Sequence, residues 1–196
     1  MEANNQRILN LLFRSFAVKC TITSLAKEMG ISRVGIWKSL KRMESRKLII
    51  LTSIGNRKTS AYIISLNLEN ILTLKNLEIT LTEEAIKNKR WVDNFKELEK
   101  KVDFLILFGS ILHSPEEAND IDILSIANKN KFTEINETVN RIQKTQIKKI
   151  HALNLTEEEF KEELIKNNKA FIDTIKKGIV LFGQEKFIKF IRGITI

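Results

Sequence analysis

The chain has one cysteine, one proline and seven glycines in 196 residues. A lone thiol, Cys20, can make no internal disulfide and no cysteine-based zinc site. It reads as the reduced, structural thiol of a cytoplasmic protein. No apolar run approaches the roughly 18–20 residues that a membrane span needs, so no membrane partner is expected. The stretch MEANNQRILNLLFRSF starts with acid and amide residues and lacks a small-residue cleavage site, so it does not read as a secretory signal. Repeats and low-complexity tracts are missing too. With Pro115 the only proline, the few glycines are expected to punctuate, most of them at turns.

What the chain does have is 43% hydrophobic residues, enough for real cores in one domain or two small ones, and an uneven charge. The formal net charge is +9. Residues 1–66 hold 12 of the 33 Lys/Arg and 3 of the 24 Asp/Glu, leaving 21 of each beyond them. The whole excess therefore sits in the first third. The remainder is equally lysine-rich but balanced, so a generally basic surface does not explain it. A one-signed segment points to a polyanionic partner.

In that third, Ile8, Leu11, Leu12 and Phe16 recur at helical spacing over 5–18. Thr23 is expected to cap a short helix burying Leu25, Ala26 and Met29, with Gly30 ending it. Ser32 caps a longer helix to about Lys47, with Ile36, Leu40 and Met43 as its apolar stripe. Two short apolar runs, LIILTSI and SAYIISL, flank Gly55-Asn56-Arg57-Lys58 and suggest a hairpin. This order, over residues 5–66, resembles the winged helix-turn-helix domain of transcription regulators. Opposite the buried stripe lie Val34, Lys38, Lys41 and Ser45, flanked by Trp37 and Arg42, with Arg33 in the first turn. By that resemblance Arg33, Trp37, Lys38, Lys41 and Arg42 face double-stranded DNA, and Arg57 and Lys58 at the hairpin tip suit backbone or minor-groove contact. The structural alternative is an ordinary solvated face, or a winged helix used for protein contact.

Residues 67–100 look largely helical, with a cap expected at Thr82 and with Ala85, Trp91, Phe95 and Leu98 on one side. Strand and helix patterns then alternate: DFLILFGS and IDILSIA as strands, NETVNRIQKTQ as a helix, KIHALNL as a strand, and TEEEFKEELIKNN as a capped helix. The closing segment AFIDTIKKGIVLFGQEKFIKFI reads as further helix broken at Gly178 and Gly183.

The chemistry concentrates in DFLILFGSILHSPEEANDIDILSIA. Asp120 and Asp122, two apart at a strand start, put both carboxylates on one face. Such a pair binds a hard divalent cation, Mg²⁺ or Mn²⁺, with substrate phosphates supplying further oxygens. Gly109 lets backbone approach a phosphate, and Ser110 offers a hydroxyl and an N–H at a helix start. Asp-x-Asp alone is a weak signal. Asp-x-Asp separated by nine residues from a strand ending in Gly-Ser is a specific one.

It matches the signature of the DNA polymerase β-like nucleotidyltransferase superfamily and looks most like its minimal bacterial and archaeal members. The resemblance covers about residues 87–196. It implies a small mixed sheet, Mg²⁺, and transfer of a nucleoside monophosphate from an NTP to a hydroxyl. Gly109 and Ser110 would then hold the triphosphate, and Asp120 and Asp122 would serve as catalytic metal ligands. Members of the family usually place a third carboxylate on the next strand. Here that strand is Lys149-Ile150-His151-Ala152-Leu153-Asn154-Leu155, with His151 or Asn154 in the place of an acid. Glu157 belongs to the following helix start.

The expected fold class is therefore α+β: a winged helix-turn-helix over 1–66, a helical connector over 67–86, and a mixed-sheet nucleotidyltransferase-like domain with flanking helices over 87–196. Three functions fit. The first is a nucleotidyltransferase acting on a protein or RNA acceptor, with DNA binding for localisation or autoregulation. The second is a transcription regulator whose second domain only binds nucleotide or dimerises. The third is an antitoxin-like enzyme modifying a partner toxin. A homodimer is expected under each, with the helix over 82–100 as a candidate interface.

Overall fold

The structure is a computed structural model that describes residues 3–16, 18–54 and 61–194. The chain divides into two compact units, residues 1–80 and 81–194. Among the described residues no helix is long and apolar enough to cross a membrane.

The first unit runs α1 (Ala3–Arg14), β1 (Cys20–Thr21), α2 (Ile22–Met29), α3 (Arg33–Ser45), β2 (Ile49–Ile54) and β3 (Ala61–Leu66). The first helix stops at Arg14, four residues short of the expectation. The cap of α2 is Thr21 rather than Thr23. Thr21 accepts from the Ser24 amide while Ser24 reaches back to the Thr21 amide, satisfying two orphan donors reciprocally. Gly30, at φ 66° and ψ 28°, then turns the chain in the left-handed region that L side chains disfavour. Ser32 caps α3 through the Gly35 amide. Leu25, Met29, Ile36, Leu40 and Met43 are all buried, as the helical spacing requires. The sheet order is β1-β3-β2, both pairs antiparallel. The two-residue β1 carries no sequence signal of its own. The expected hairpin turn over 55–58 lies outside the described residues.

Over residues 67–100 a long helix, α4 (Ile71–Lys87), is followed by α5 (Lys89–Asn94) and a single 3₁₀ turn, Lys96–Leu98. Thr82 is inside α4, not at a cap. The Asn67 and Asn70 side-chain amides donate to the Lys47 carbonyl at the α3–β2 turn, and Thr73 donates to that of Leu48. These bonds fix the start of α4. The residues expected on one side of 82–100, namely Ala85, Trp91, Phe95 and Leu98, are buried. Three of them, Trp91, Phe95 and Leu98, belong to the core of the second unit. The large apolar residues that α4 leaves exposed are Ile71 and, seven residues apart, Leu72, Ile79 and Ile86.

The second unit is built on a four-stranded sheet of order β6-β5-β4-β7: β4 (Phe104–Phe108), β5 (Asp120–Ile126), β6 (Lys149–Leu155) and β7 (Ile179–Phe182). β4 runs antiparallel to β5 and β7, and β5 parallel to β6, so the sheet is mixed. Alternation sorts its residues by face. Leu105, Leu107, Ile121, Ile123 and Ile150 join Trp91 and Phe95 and the inward residues Ile135, Val139 and Ile142 of α6 (Phe132–Gln143) in one core. On the opposite face, Phe104 packs against Phe160 of α7 (Glu157–Ile165) and Phe187 and Phe190 of α9 (Gln184–Ile194). α8 (Lys169–Lys177) precedes β7. The strand β7 falls in the segment expected to be helix broken by Gly178 and Gly183. Its four residues are all buried, so they show no alternation, and a short apolar run cannot be told from helix by period.

Burial raises the Cys20 thiol above its ordinary value; the Glu28 charge adds to this, and a hydrogen bond with Ser15 opposes it. Since the thiolate is the reactive form, a thiol reagent at neutral pH is expected to label native protein much more slowly than urea-unfolded protein. Equal rates would contradict the described environment of Cys20.

Candidate active site

The second unit gathers its polar chemistry at one end of the sheet. β4 delivers the chain to Gly109, and the antiparallel register sets Phe108 opposite Asp122. Gly109 has φ 83° and ψ −167°, a region open essentially to glycine alone. A Cβ at Gly109 would lie 2.2 Å from Asp122 Oδ2. The close approach that requires glycine is thus to the Asp122 carboxylate of the neighbouring strand. Phosphate contact is not needed to explain it.

The parallel pairing of β5 with β6 sets Asp122 beside His151 and Asp120 beside Lys149. His151 Nδ1 lies 3.2 Å from Asp120 Oδ2 and 3.6 Å from Asp122 Oδ1. Asp120 and Asp122 are partly buried and His151 is about half exposed. One ligand atom from each of the three falls within 4.8 Å of the others, the one such group of metal-capable side chains among the described residues. Burial holds the Asp122 carboxyl above its ordinary value, and the Asp120 charge pushes the same way. The His151 imidazole opposes both, through its charge and a hydrogen bond. Two carboxylates this close repel unless a positive charge sits between them. Donor types, shared face and convergence therefore fit one divalent cation. Asn154, the other residue considered for the third position, is three along β6 and so on the opposite face, where it donates to Asn136 of α6.

Two residues that sequence reasoning did not single out hold this arrangement. Lys148, just before β6, donates through Nζ to the backbone carbonyls of Glu116 and Ala118. It thereby ties the loop preceding Asp120 to the strand bearing His151. Gln143, at the end of α6, accepts from the Ile150 amide at 2.7 Å and donates to the Lys148 carbonyl. An isolated lysine and glutamine in polar stretches carry no spacing signal, so only the folded chain reveals them.

Ser110 is exposed beside Gly109 and opens a single 3₁₀ turn, Ser110–Leu112, rather than an α-helix. The dipole of a full helix is therefore not available at that point. A cleft of about 590 Å³ adjoins Gly109, lined by Phe108, Leu112, His113, Ala170, Asp173 and Lys177 among others.

The residues expected to face DNA belong to the first unit. Arg33, Lys38, Lys41 and Arg42 are exposed on α3. Lys41 pairs with Glu44 at 2.8 Å and also lies over the Trp37 ring. Trp37 is half-buried, its ring 5.1 Å from that of Tyr62 on β3. It braces the helix against the sheet. Arg57 and Lys58 lie outside the described residues.

Residues 92–186 match the family model described as polymerase beta, nucleotidyltransferase. The match takes in β4, the Gly109-Ser110 turn, β5 and β6, and it supports membership of this segment in that superfamily. Nucleotidyl transfer in general is the activity it suggests, and members of the family typically use a divalent metal and an NTP. No curated protein and no solved structure matches the chain.

Replacing Gly109 tests the packing directly. Gly109→Ala is expected to cost about 1–3 kcal/mol from backbone strain and to displace the Asp122 carboxylate. Urea unfolding in a Trp37→Phe background, where Trp91 alone reports, measures the first effect. Mn²⁺ affinity measures the second. An unchanged midpoint together with unchanged affinity would contradict the close approach.

Proposed function

We propose that the chain is a DNA-binding nucleotidyltransferase, in which the second unit transfers a nucleoside monophosphate from an NTP to a hydroxyl on a protein or RNA. The observation that carries this reading is the family match over a segment in which one end of the two inner strands brings together Asp120, Asp122 and Gly109. In the reaction the acceptor oxygen bonds to the α-phosphorus. The α–β anhydride bond breaks, pyrophosphate leaves with the electron pair, and the hydroxyl proton passes to solvent at the open edge beside His151. Asp120 and Asp122 would hold the divalent ion, which would supply charge neutralisation at the phosphate oxygens. Gly109 and Ser110 present backbone and a hydroxyl to the triphosphate, and the adjoining cleft lined by Leu112 and His113 accommodates the nucleoside.

For the first unit, we read α2, the Gly30 turn and α3 as a helix-turn-helix, with the β2–β3 pair as its wing. The supports are the confinement of the net charge to residues 1–66 and the exposed Arg33, Lys38, Lys41 and Arg42. A homodimer on two half-sites belongs to the same reading. A second reading makes the chain a regulator whose second unit binds nucleotide without turnover. It is favoured by one observation: His151, not an acid, completes the group.

Incubating the full chain with labelled NTPs and Mg²⁺ or Mn²⁺ separates the two. Labelled product is expected, and it is expected to vanish in Asp120→Ala with Asp122→Ala. No product with any NTP would leave the regulator reading standing. A gel shift on the DNA upstream of the protein's own gene is expected to show salt-sensitive binding that weakens in Lys38→Ala and Arg42→Ala. Binding indifferent to salt and to both substitutions would remove DNA from the account.

A further inference from the structure

The group on β5 and β6 differs from an all-carboxylate cluster in one ligand, and that difference has consequences for which ion it holds. His151 is fixed beside Asp122 by the parallel register, on the same face as both aspartates. Its Nδ1 lies 3.2 Å and 3.6 Å from one oxygen of each aspartate. Ligands about 2.1 Å from a common ion lie about 3.0 Å apart at right angles and about 3.4 Å apart at the tetrahedral angle. The nitrogen–oxygen spacings are therefore of the size that one ion would impose. Gly109 backs Asp122 closely enough that its carboxylate has little room to withdraw on that side.

The charge of the group points the same way. Two carboxylates and an imidazole supply at most two negative charges. The register also sets Lys149, a basic residue, beside Asp120. A pair of doubly charged ions would be under-neutralised by the protein, whereas a single ion is matched. Imidazole nitrogen suits zinc and the later first-row ions from iron to nickel, cobalt among them, while Mg²⁺ prefers an all-oxygen shell and keeps its waters.

We propose that Asp120, Asp122 and His151 form a site for one borderline divalent ion of the Co²⁺ or Zn²⁺ type, with the His151 imidazole as a ligand, in preference to a pair of Mg²⁺ ions. The assignment rests on the same site as the transfer reading but not on transfer taking place. His151 sets the choice of ion, and its replacement by an acid turns the group toward Mg²⁺.

The test uses the full chain, stripped of metal and titrated with Co²⁺, Zn²⁺, Mn²⁺ and Mg²⁺. Calorimetry gives stoichiometry and affinity, and the visible bands of Co²⁺ report nitrogen ligation. One equivalent of Co²⁺ or Zn²⁺ is expected. His151→Ala is expected to weaken it by about tenfold or more, and His151→Asp to lower the Zn²⁺-to-Mg²⁺ affinity ratio by about as much. His113→Ala, which removes the one other histidine, is expected to change neither. Circular dichroism confirms that each variant is folded; His151 is half-exposed, so its replacement leaves the core untouched. Co²⁺ affinity and spectrum unchanged in His151→Ala would overturn the assignment. So would two equivalents of Mg²⁺ bound to the wild type without nucleotide. If transfer occurs but these results fail, only the ion assignment falls. If the ion binds through His151 but no NTP is turned over, only the transfer reading falls.

Discussion

The antiparallel register that sets Phe108 opposite Asp122, and the parallel register that sets Asp122 beside His151, together decide where the chemistry of this chain can occur. Because side chains alternate along a strand, a slip of one residue in either pairing would turn the aspartates into the core formed with α6. Buried apolar residues on both faces oppose such a slip. Leu105 and Leu107 must meet Trp91 and Phe95, and Phe104 must meet Phe160, Phe187 and Phe190. The hydrophobic interior thus fixes the polar edge. Gly109 is the point where the two meet, since only a residue without Cβ leaves room for the Asp122 carboxylate.

Much of this was legible in the sequence, for identifiable physical reasons. The helices α2, α3 and α7 announce themselves through caps and turns: Gly30, Ser32 and Thr156 are short polar side chains or glycine at the right place before or after an apolar stripe, although α2 is capped by Thr21 and not by Thr23. The strands β4, β5 and β6 stand out as short apolar runs between polar stretches. The pairing of Gly109-Ser110 with Asp120 and Asp122 was readable because nine residues suffice for a tight turn and return between adjacent strands. What was not legible depends on tertiary contact. β7 is buried at all four positions and has no period of its own. The cap inferred at Thr82 yielded to a helix that runs through it, because Leu77, Leu81 and Ala85 continue one buried stripe. The roles of Lys148 and Gln143 exist only once β6 is in place.

The reason for glycine at 109 also changed in kind. Sequence reasoning justified it by a ligand, while the fold justifies it by a neighbour in the same protein. The two are compatible, since a loop kept free of side chains for Asp122 is open to a phosphate as well. The absence of an acid on β6 became more definite. His151 fills the position beside Asp122, and Asn154 is on the other face, bonded to Asn136. The site is thus a two-carboxylate, one-imidazole group, and its chemistry must be argued from that set.

The central claim, that this group binds a divalent ion, is tested most directly by proton NMR of the two histidine rings during addition of Mn²⁺. The account predicts that substoichiometric Mn²⁺ broadens the His151 ring signals first and that Asp120→Ala removes the effect. Broadening that spares His151, or that persists unchanged in Asp120→Ala, would contradict it.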